Sequence, residues 1–161
     1  MRIVSVLENK KIEKRIAVTP DIAKKYISLG FEVLLSENYG VHLGIHDEAF
    51  KKVGATIVKN ENELINSADL IIQLGLLSEE KSSLMKEGQL LVGVLDPYSN
   101  EEKIDKIIKK KINVFSLELL PRITRAQSMD ILSSQANLAG YKAVIESFAN
   151  FEKAIPMMMT A

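Results

Sequence analysis

The sequence predicts an α/β protein of three layers, with a mostly parallel sheet between helices and a long C-terminal helix. Two observations predict the sheet. Short apolar, β-branched runs alternate with charged or amphipathic runs about every 20 residues, the pattern of successive βα units. Several of these runs are apolar almost throughout, as strands covered on both faces are. The long helix is predicted by the span 126–153, which holds no helix breaker except Gly140.

In chain order, strands are predicted at 2–7 (RIVSVL), 32–36 (EVLLS), 55–58 (ATIV), 69–74 (DLIIQL), 89–95 (QLLVGVL) and 112–119 (INVFSLEL). Between the first two, Thr19-Pro20-Asp21 supplies an N-cap, a proline at the first helical position and an early negative charge, and Gly30 stops the helix. Asp47 starts a short helix through EAFKKVG, and NENELINSA and SEEKSSLMK read as two more. Ser99 and Glu102 have capping-box spacing ahead of KIDKIIKKK. In the last helix, at 100° per residue, Gln127, Asp130, Ser134, Asn137 and Tyr141 share one narrow stripe, flanked by Ile131, Leu138 and Ile145. A solvated face would carry Lys and Glu, so a polar stripe with apolar borders predicts a cleft or a partner surface.

Composition excludes several classes. At 161 residues the chain is expected to form one domain that needs no disulfide or metal for support. Lys and Arg total 21, as do Asp and Glu, so no net field draws nucleic acid or an anionic membrane. No nucleic-acid partner is expected. There is no Cys, which removes disulfides, thiolate nucleophiles and Cys-zinc sites and fits a reducing compartment. The N-terminus is too short in apolar residues for a signal peptide, and no run approaches the ~20 apolar residues of a membrane span, so a soluble, cytoplasmic chain is expected.

The strongest candidate site follows the last strand. In LPRITRAQ the chain should emerge at the carboxyl edge of the sheet, where open α/β sheets bind ligands. The loops holding Gly75 and Asp96 should open on that same edge. Arg122, Arg125, Gln127 and Asp130 could hold a polar or phosphorylated ligand; equally, the arginines could cap the loop while Asp130 complements the helix dipole. His42 and His46 sit four apart but beside Gly40 and Gly44, so they fall in a loop with no third ligand, and no metal is expected. Arg15 could grip a carboxylate or be an exposed loop residue. The lysines at 109–111 suit a solvated helix end, and the Met run at 157–159 suits core or a strand entry. No G-x-G-x-x-G follows a strand, and no Ser-His-Asp set or H-E-x-x-H helix appears.

The segments KRIAVTPDIAKKYISLGFEVLL, DEAFKKVGATIV, ADLIIQL, EGQLLVGVLDP and above all LLPRITRAQSMDILSSQANLAGYKAV give the chain a family resemblance. It resembles the N-terminal domain shared by alanine dehydrogenase and the alpha subunit of proton-translocating NAD(P) transhydrogenase. The resemblance implies a Rossmann-like/flavodoxin-like fold over residues 1–161 and covers essentially the whole chain. The alanine enzymes manage a proton with a Lys after the fourth strand and a His after the fifth. Gly75 and Asp96 stand there in this sequence, which makes alanine dehydrogenase the runner-up. A non-catalytic assembly module is a further alternative.

In the transhydrogenase branch the resemblance implies direct hydride transfer between two nicotinamide rings, for which the protein positions rings rather than supplying an acid or base. It maps a catalytic and cofactor-binding trio beside the NAD(H) nicotinamide onto Arg122, Gln127 and Asp130, and two further cofactor-binding positions onto Ser133 and Tyr141. Gln127, Asp130 and Tyr141 are also on the periodic stripe; Ser133 is off it. The resemblance further implies a homodimer, a beta subunit that binds NADP(H), and a cytoplasmic place peripheral to the inner membrane. It places a Rossmann NAD-binding domain after residue 161, so the chain is expected to be a fragment, catalytically silent alone.

Overall fold

A computed structural model describes residues 1–153; the Met run at 157–159 lies outside the described residues. The chain packs as two units, Met1–Leu119 and Leu120–Ala161. In the first, strands β1 (Arg2–Ser5), β2 (Glu32–Ser36), β3 (Thr56–Val58), β4 (Leu70–Gln73), β5 (Leu90–Gly93) and β6 (Asn113–Ser116) form one sheet in the order β3-β2-β1-β4-β5-β6. Every pairing is parallel. The order reverses between β1 and β4, whose carboxyl ends therefore diverge into loops on opposite sides of a crevice.

Helices α1 (Pro20–Ser28), α2 (Asp47–Lys52), α3 (Glu61–Ser67), α4 (Glu79–Ser83) and α5 (Glu101–Lys109) supply the outer layers. The two-residue period of the strands divides their side chains between two cores. Val4, Ile71 and Leu91 pack with Leu64, Ile65, Ile104 and Ile107 of α3 and α5. Val33 and Leu35 pack with Ala23 of α1 and Phe50 of α2. Neither core takes in Leu70, Ile72, Leu90 or Val92, which stay half-buried, or Phe115 on the edge strand, which is 57% exposed.

Local chemistry sets the ends. The Thr19 side chain accepts from the Ile22 N–H at 3.4 Å and Pro20 opens α1. Gly30 follows at φ +86°, the left-handed region that suits glycine. Asn60 and Ser78 cap α3 and α4 through their side chains. The Ser99–Glu102 capping box does not form: the N-cap position of α5 is Asn100, and its side-chain amide donates back to the Leu95 and Asp96 carbonyls instead. The last predicted strand is shorter than expected, because residues Leu117–Leu119 turn as a 3₁₀ helix after β6. Gly93 is required by close approach: a Cβ there would sit 2.3 Å from the Gln73 carbonyl oxygen on β4.

A buried polar chain ties β1, β4 and the loop before α1 together. The Tyr39 hydroxyl is 2.7 Å from Ser5 Oγ and accepts from the Ala17 and Val18 N–H groups at 3.1 and 3.2 Å. With both of those donors on its oxygen, Tyr39 donates its own proton to Ser5. Ser5 Oγ in turn reaches the Ile72 carbonyl at 2.7 Å and Gln73 Oε1 at 2.9 Å.

In the second unit a 3₁₀ helix spans Thr124–Met129 and α6 spans Ile131–Ala149. The expected unbroken helix over 126–153 is thus corrected at both ends. Asp130 has ψ 94°, extended rather than helical, because its side chain caps α6. Asn150 ends the helix and returns its side-chain amide to the Glu146 carbonyl. Gln127 and Asp130 precede α6, so the 100° stripe holds only for Ser134, Asn137 and Tyr141.

Two stability changes follow from this packing. Tyr39→Phe strands the buried Val18 N–H and the Ala17 N–H, and should lower unfolding free energy by about 1–3 kcal/mol in urea titrations. A Cβ on Gly140, inside α6, would meet nothing within 4 Å. Gly140→Ala should therefore raise the helicity of the chain by circular dichroism, consistent with a propensity gain of about 1 kcal/mol.

Candidate functional site

The second unit holds a cleft of about 270 Å³ lined by Arg122, Ile123, Thr124, Gln127 and Asp130. It forms because the 3₁₀ turn and the N-terminus of α6 fold the polar residues of one short stretch against each other. Asp130 is fixed twice over by Ser133, whose N–H donates to Oδ1 at 3.0 Å and whose hydroxyl donates to Oδ2 at 2.6 Å. Those two bonds, the hydroxyl first, hold the Asp130 carboxyl below its usual range, with a smaller contribution from the Arg122 charge. Arg122 and Gln127 are exposed, and among the described residues neither side chain has a hydrogen-bond partner. The cleft thus presents free guanidinium and amide donors beside a committed carboxylate.

Four of the five candidate residues come together in this way: Arg122, Gln127 and Asp130 line the cleft, and Ser133 orients Asp130. Ser133, which the stripe left out, is joined because a side-chain cap bonds to the residue three positions on. Tyr141 is not part of the cleft. It is 70% exposed and lies eleven residues beyond Asp130, roughly 16 Å along the axis at 1.5 Å per residue. Arg125 is exposed and does not line the cleft either.

In the first unit the carboxyl edge of the sheet carries the other candidates. Arg15 is held by Glu13, through Nε at 2.8 Å and Nη2 at 2.6 Å, and the bond lowers the Glu13 carboxyl while it raises the guanidinium. Asp96 follows β5 with φ 46°, a left-handed conformation uncommon outside glycine, and its N–H donates to Glu118. The second Glu118 oxygen and the Ser116 hydroxyl are buried without a partner among the described residues. His42 Nε2 is 2.7 Å from the Lys14 carbonyl, while His46 precedes α2 without a side-chain cap.

Sequence reasoning missed a polar cluster at the reversal of strand order. Glu8, just after β1, accepts from the Leu74 N–H at 2.6 Å. Burial pushes its carboxyl up, against the lowering effect of the Leu74 and Gly75 N–H groups. Glu61 at the start of α3 pairs with Lys81 of α4 at 2.7 Å and accepts from Ser36 at 2.8 Å. Burial opposes its charge too, but the bonds from Lys81 and Ser36 win and hold it low. The only sequence signal was a lone Glu directly after an apolar strand, which without topology has no partner.

A doubly wound parallel sheet, with its polar groups at the carboxyl edge, defines a Rossmann-like α/β protein. The family model described as "Alanine dehydrogenase/PNT, N-terminal domain" matches residues 5–139. The chain belongs to this family. It is 42% identical over 166 residues to the first part of NAD(P) transhydrogenase subunit alpha from Rhodospirillum rubrum, covering 100% of this chain and 43% of that relative. Among solved structures, the transhydrogenase from Sinorhizobium meliloti superposes with a TM-score of 0.89 at 41% identity, covering 99% of this chain and 48% of that one. "Alanine dehydrogenase 1" of Staphylococcus aureus is more distant, 28% identical over 145 residues, covering 90% of this chain and 38% of that relative. The chain thus spans less than half the length of these relatives.

The opposed shifts in the first unit give a pH test. A raised carboxyl favours the protonated form, so the folded state is stabilised by Glu8 at low pH. That contribution is lost as pH rises from the ordinary carboxylate value through the raised one. Glu8→Gln keeps an acceptor for the Leu74 N–H and removes the titration. Urea unfolding from pH 4 to pH 7 should therefore show wild type losing stability relative to Glu8→Gln as pH increases.

Proposed function

We propose that the chain is the portion of a transhydrogenase alpha subunit that positions the nicotinamide of NAD(H) for direct hydride transfer to NADP⁺ held by a partner subunit. The observation that carries this reading is the cleft that gathers Arg122, Gln127 and Asp130 and leaves the donors of the first two unpartnered. The names of the relatives from Rhodospirillum rubrum and Sinorhizobium meliloti support it.

NADH, when bound, supplies the hydride and becomes NAD⁺, while NADP⁺ accepts it and becomes NADPH. Neither ring gains or loses a further proton, so the protein's task is alignment. The Arg122 and Gln127 donors suit the acceptor oxygen of a carboxamide, and two such bonds fix the plane of the ring that bears it. Asp130, kept charged by Ser133, holds the start of α6 and sets a negative charge beside Arg122. Tyr141 is proposed to join the nucleotide site only in the longer protein, since here it lies outside the cleft. Gly75 and Asp96 at the ends of β4 and β5 provide neither the Lys nor the His of an amino-acid dehydrogenase. A homodimer, an NADP(H)-binding beta subunit and a cytoplasmic place beside the membrane complete the proposal. Among the described residues, no helix is long and apolar enough to cross a membrane.

Arg122→Ala and Gln127→Ala, made in the full assembly, should slow hydride transfer from NADH to an NADP analogue by roughly tenfold to a hundredfold, the loss of one or two oriented hydrogen bonds. Subunit association by size-exclusion chromatography should be unchanged. An unaffected rate in both variants would overturn the reading, as would pyruvate-dependent NADH oxidation by the intact protein. The 161-residue chain alone should transfer no hydride.

A further inference from the structure

Of the residues on the wall of the cleft in the second unit, Ile123 is the one with a wholly apolar side chain. We propose that Ile123 is the backing on which one face of the nicotinamide ring rests, so that the opposite face is held out toward the second ring. The proposal rests on the hydride-transfer reading and adds to it a positioning contact that neither periodicity nor resemblance assigned. The need for such a contact comes from the chemistry. Hydrogen bonds from Arg122 and Gln127 hold the ring by the carboxamide at its edge; they orient its plane but put nothing behind either face. Transfer also requires approach. The C–H bond at C4 of NADH breaks as one forms at C4 of NADP⁺, the electron pair travels with the hydrogen, and the reacting atoms must come within about 3–3.5 Å. A ring with only water behind it yields as the second ring presses on it, whereas a fixed apolar surface in van der Waals contact does not.

The local structure suits Ile123 to this role. Exposed apolar residues are ordinary on protein surfaces, so its exposure of 55% does not single it out. Its anchorage does. The Ile123 N–H donates to the Pro121 carbonyl at 2.9 Å, and the Ile123 carbonyl accepts from the Ala126 N–H at 2.9 Å. Pro121 has a ring-locked φ, and Ala126 is the buried residue of the 3₁₀ turn, so both ties lead to fixed points. The side chain is β-branched, which makes χ1 stiff as well. Met129, on the same turn, is about as open to solvent at 53%, but it does not line the cleft and its unbranched chain bends easily. The cleft thus joins edge donors, from Arg122 and Gln127, to one rigid apolar surface. That is the combination that orients a flat ring bearing one polar substituent.

The test uses the full assembly with NADH, an NADP analogue and the variants Ile123→Ala, Ile123→Val and Met129→Ala. Ile123→Ala should slow the single-turnover transfer step about tenfold, the scale of a lost apolar contact, while the dissociation constant for NADH changes less than about threefold. Ile123→Val keeps the branch and should recover most of the rate, and Met129→Ala should match wild type. In assembly labelled with ¹³C at isoleucine methyls, NAD⁺ should shift the Ile123 resonances through its ring current, and ADP-ribose, which lacks the nicotinamide, should not. That measurement decides the matter should Ile123→Ala fail to assemble. Weaker NADH binding with an unchanged transfer step, an unchanged rate in Ile123→Ala, an equal loss in Met129→Ala, or an Ile123 methyl that responds alike to NAD⁺ and ADP-ribose would each overturn the proposal while transfer by wild type still upholds the reading beneath it. Absence of transfer by wild type would overturn both.

Discussion

The seam between β1 and β4 is the constraint on which the first unit depends. The register there is short, Ile3 against Leu70 and Val4 against Ile71. Side chains extend it: Gln73 reaches back to the Val6 N–H, and Ser5 reaches the Ile72 carbonyl. Tyr39 then anchors the loop at Ala17 and Val18 to the same seam. Ser5, Tyr39 and Gln73 are each buried, so a partial network would leave polar atoms without water and cost more than an apolar one. That all-or-none character makes the seam rigid. It also fixes where two loops leave the sheet, which is the geometric condition for any ligand crevice at this edge.

The strands were legible because a parallel sheet covered on both faces needs continuous apolar runs, and EVLLS, DLIIQL and QLLVGVL are such runs. Their ends were not, because apolar content says nothing about where pairing stops. Leu117 and Leu119 look like strand residues and turn instead. Caps were read well where one side chain has one obvious backbone partner, as at Thr19. They were misread where two neighbours competed. At Ser99 and Asn100 the amide won by bonding two carbonyls of the preceding loop, an option that spacing alone does not reveal.

The cleft was legible for a different reason. Arg122, Gln127 and Asp130 lie within nine residues of one another, so a single turn is enough to bring them together. Periodicity pointed to Gln127 and Asp130 although neither is in the α-helix. A 3₁₀ turn advances 120° per residue rather than 100°, and over three or four residues the two patterns are hard to tell apart. Tyr141 shows where the argument stops: a shared helical stripe puts it on one side with Ser134 and Asn137 but says nothing of reach. The cluster of Glu8, Glu61, Gln73 and Lys81 was hidden because its members are up to 73 positions apart in sequence and meet only through the strand order.

Helix α6 and the cleft divide their work in a way that follows from charge. Over its 19 residues α6 carries Lys142 and Glu146 as its formal charges, and these pair with each other. What remains is uncharged, and Leu138, Val144, Ile145 and Phe148 are each more than 40% exposed. A helix with apolar residues spread around it is stable where protein surrounds it. Polar capping at its start is then the one place where sequence specifies an orientation rather than mere burial. Asp130 holds the first turn through Ser133, and the same bond fixes the wall of the cleft. Helix start and ligand-facing wall are therefore one structure, so a change that loosens the cap moves the cleft with it.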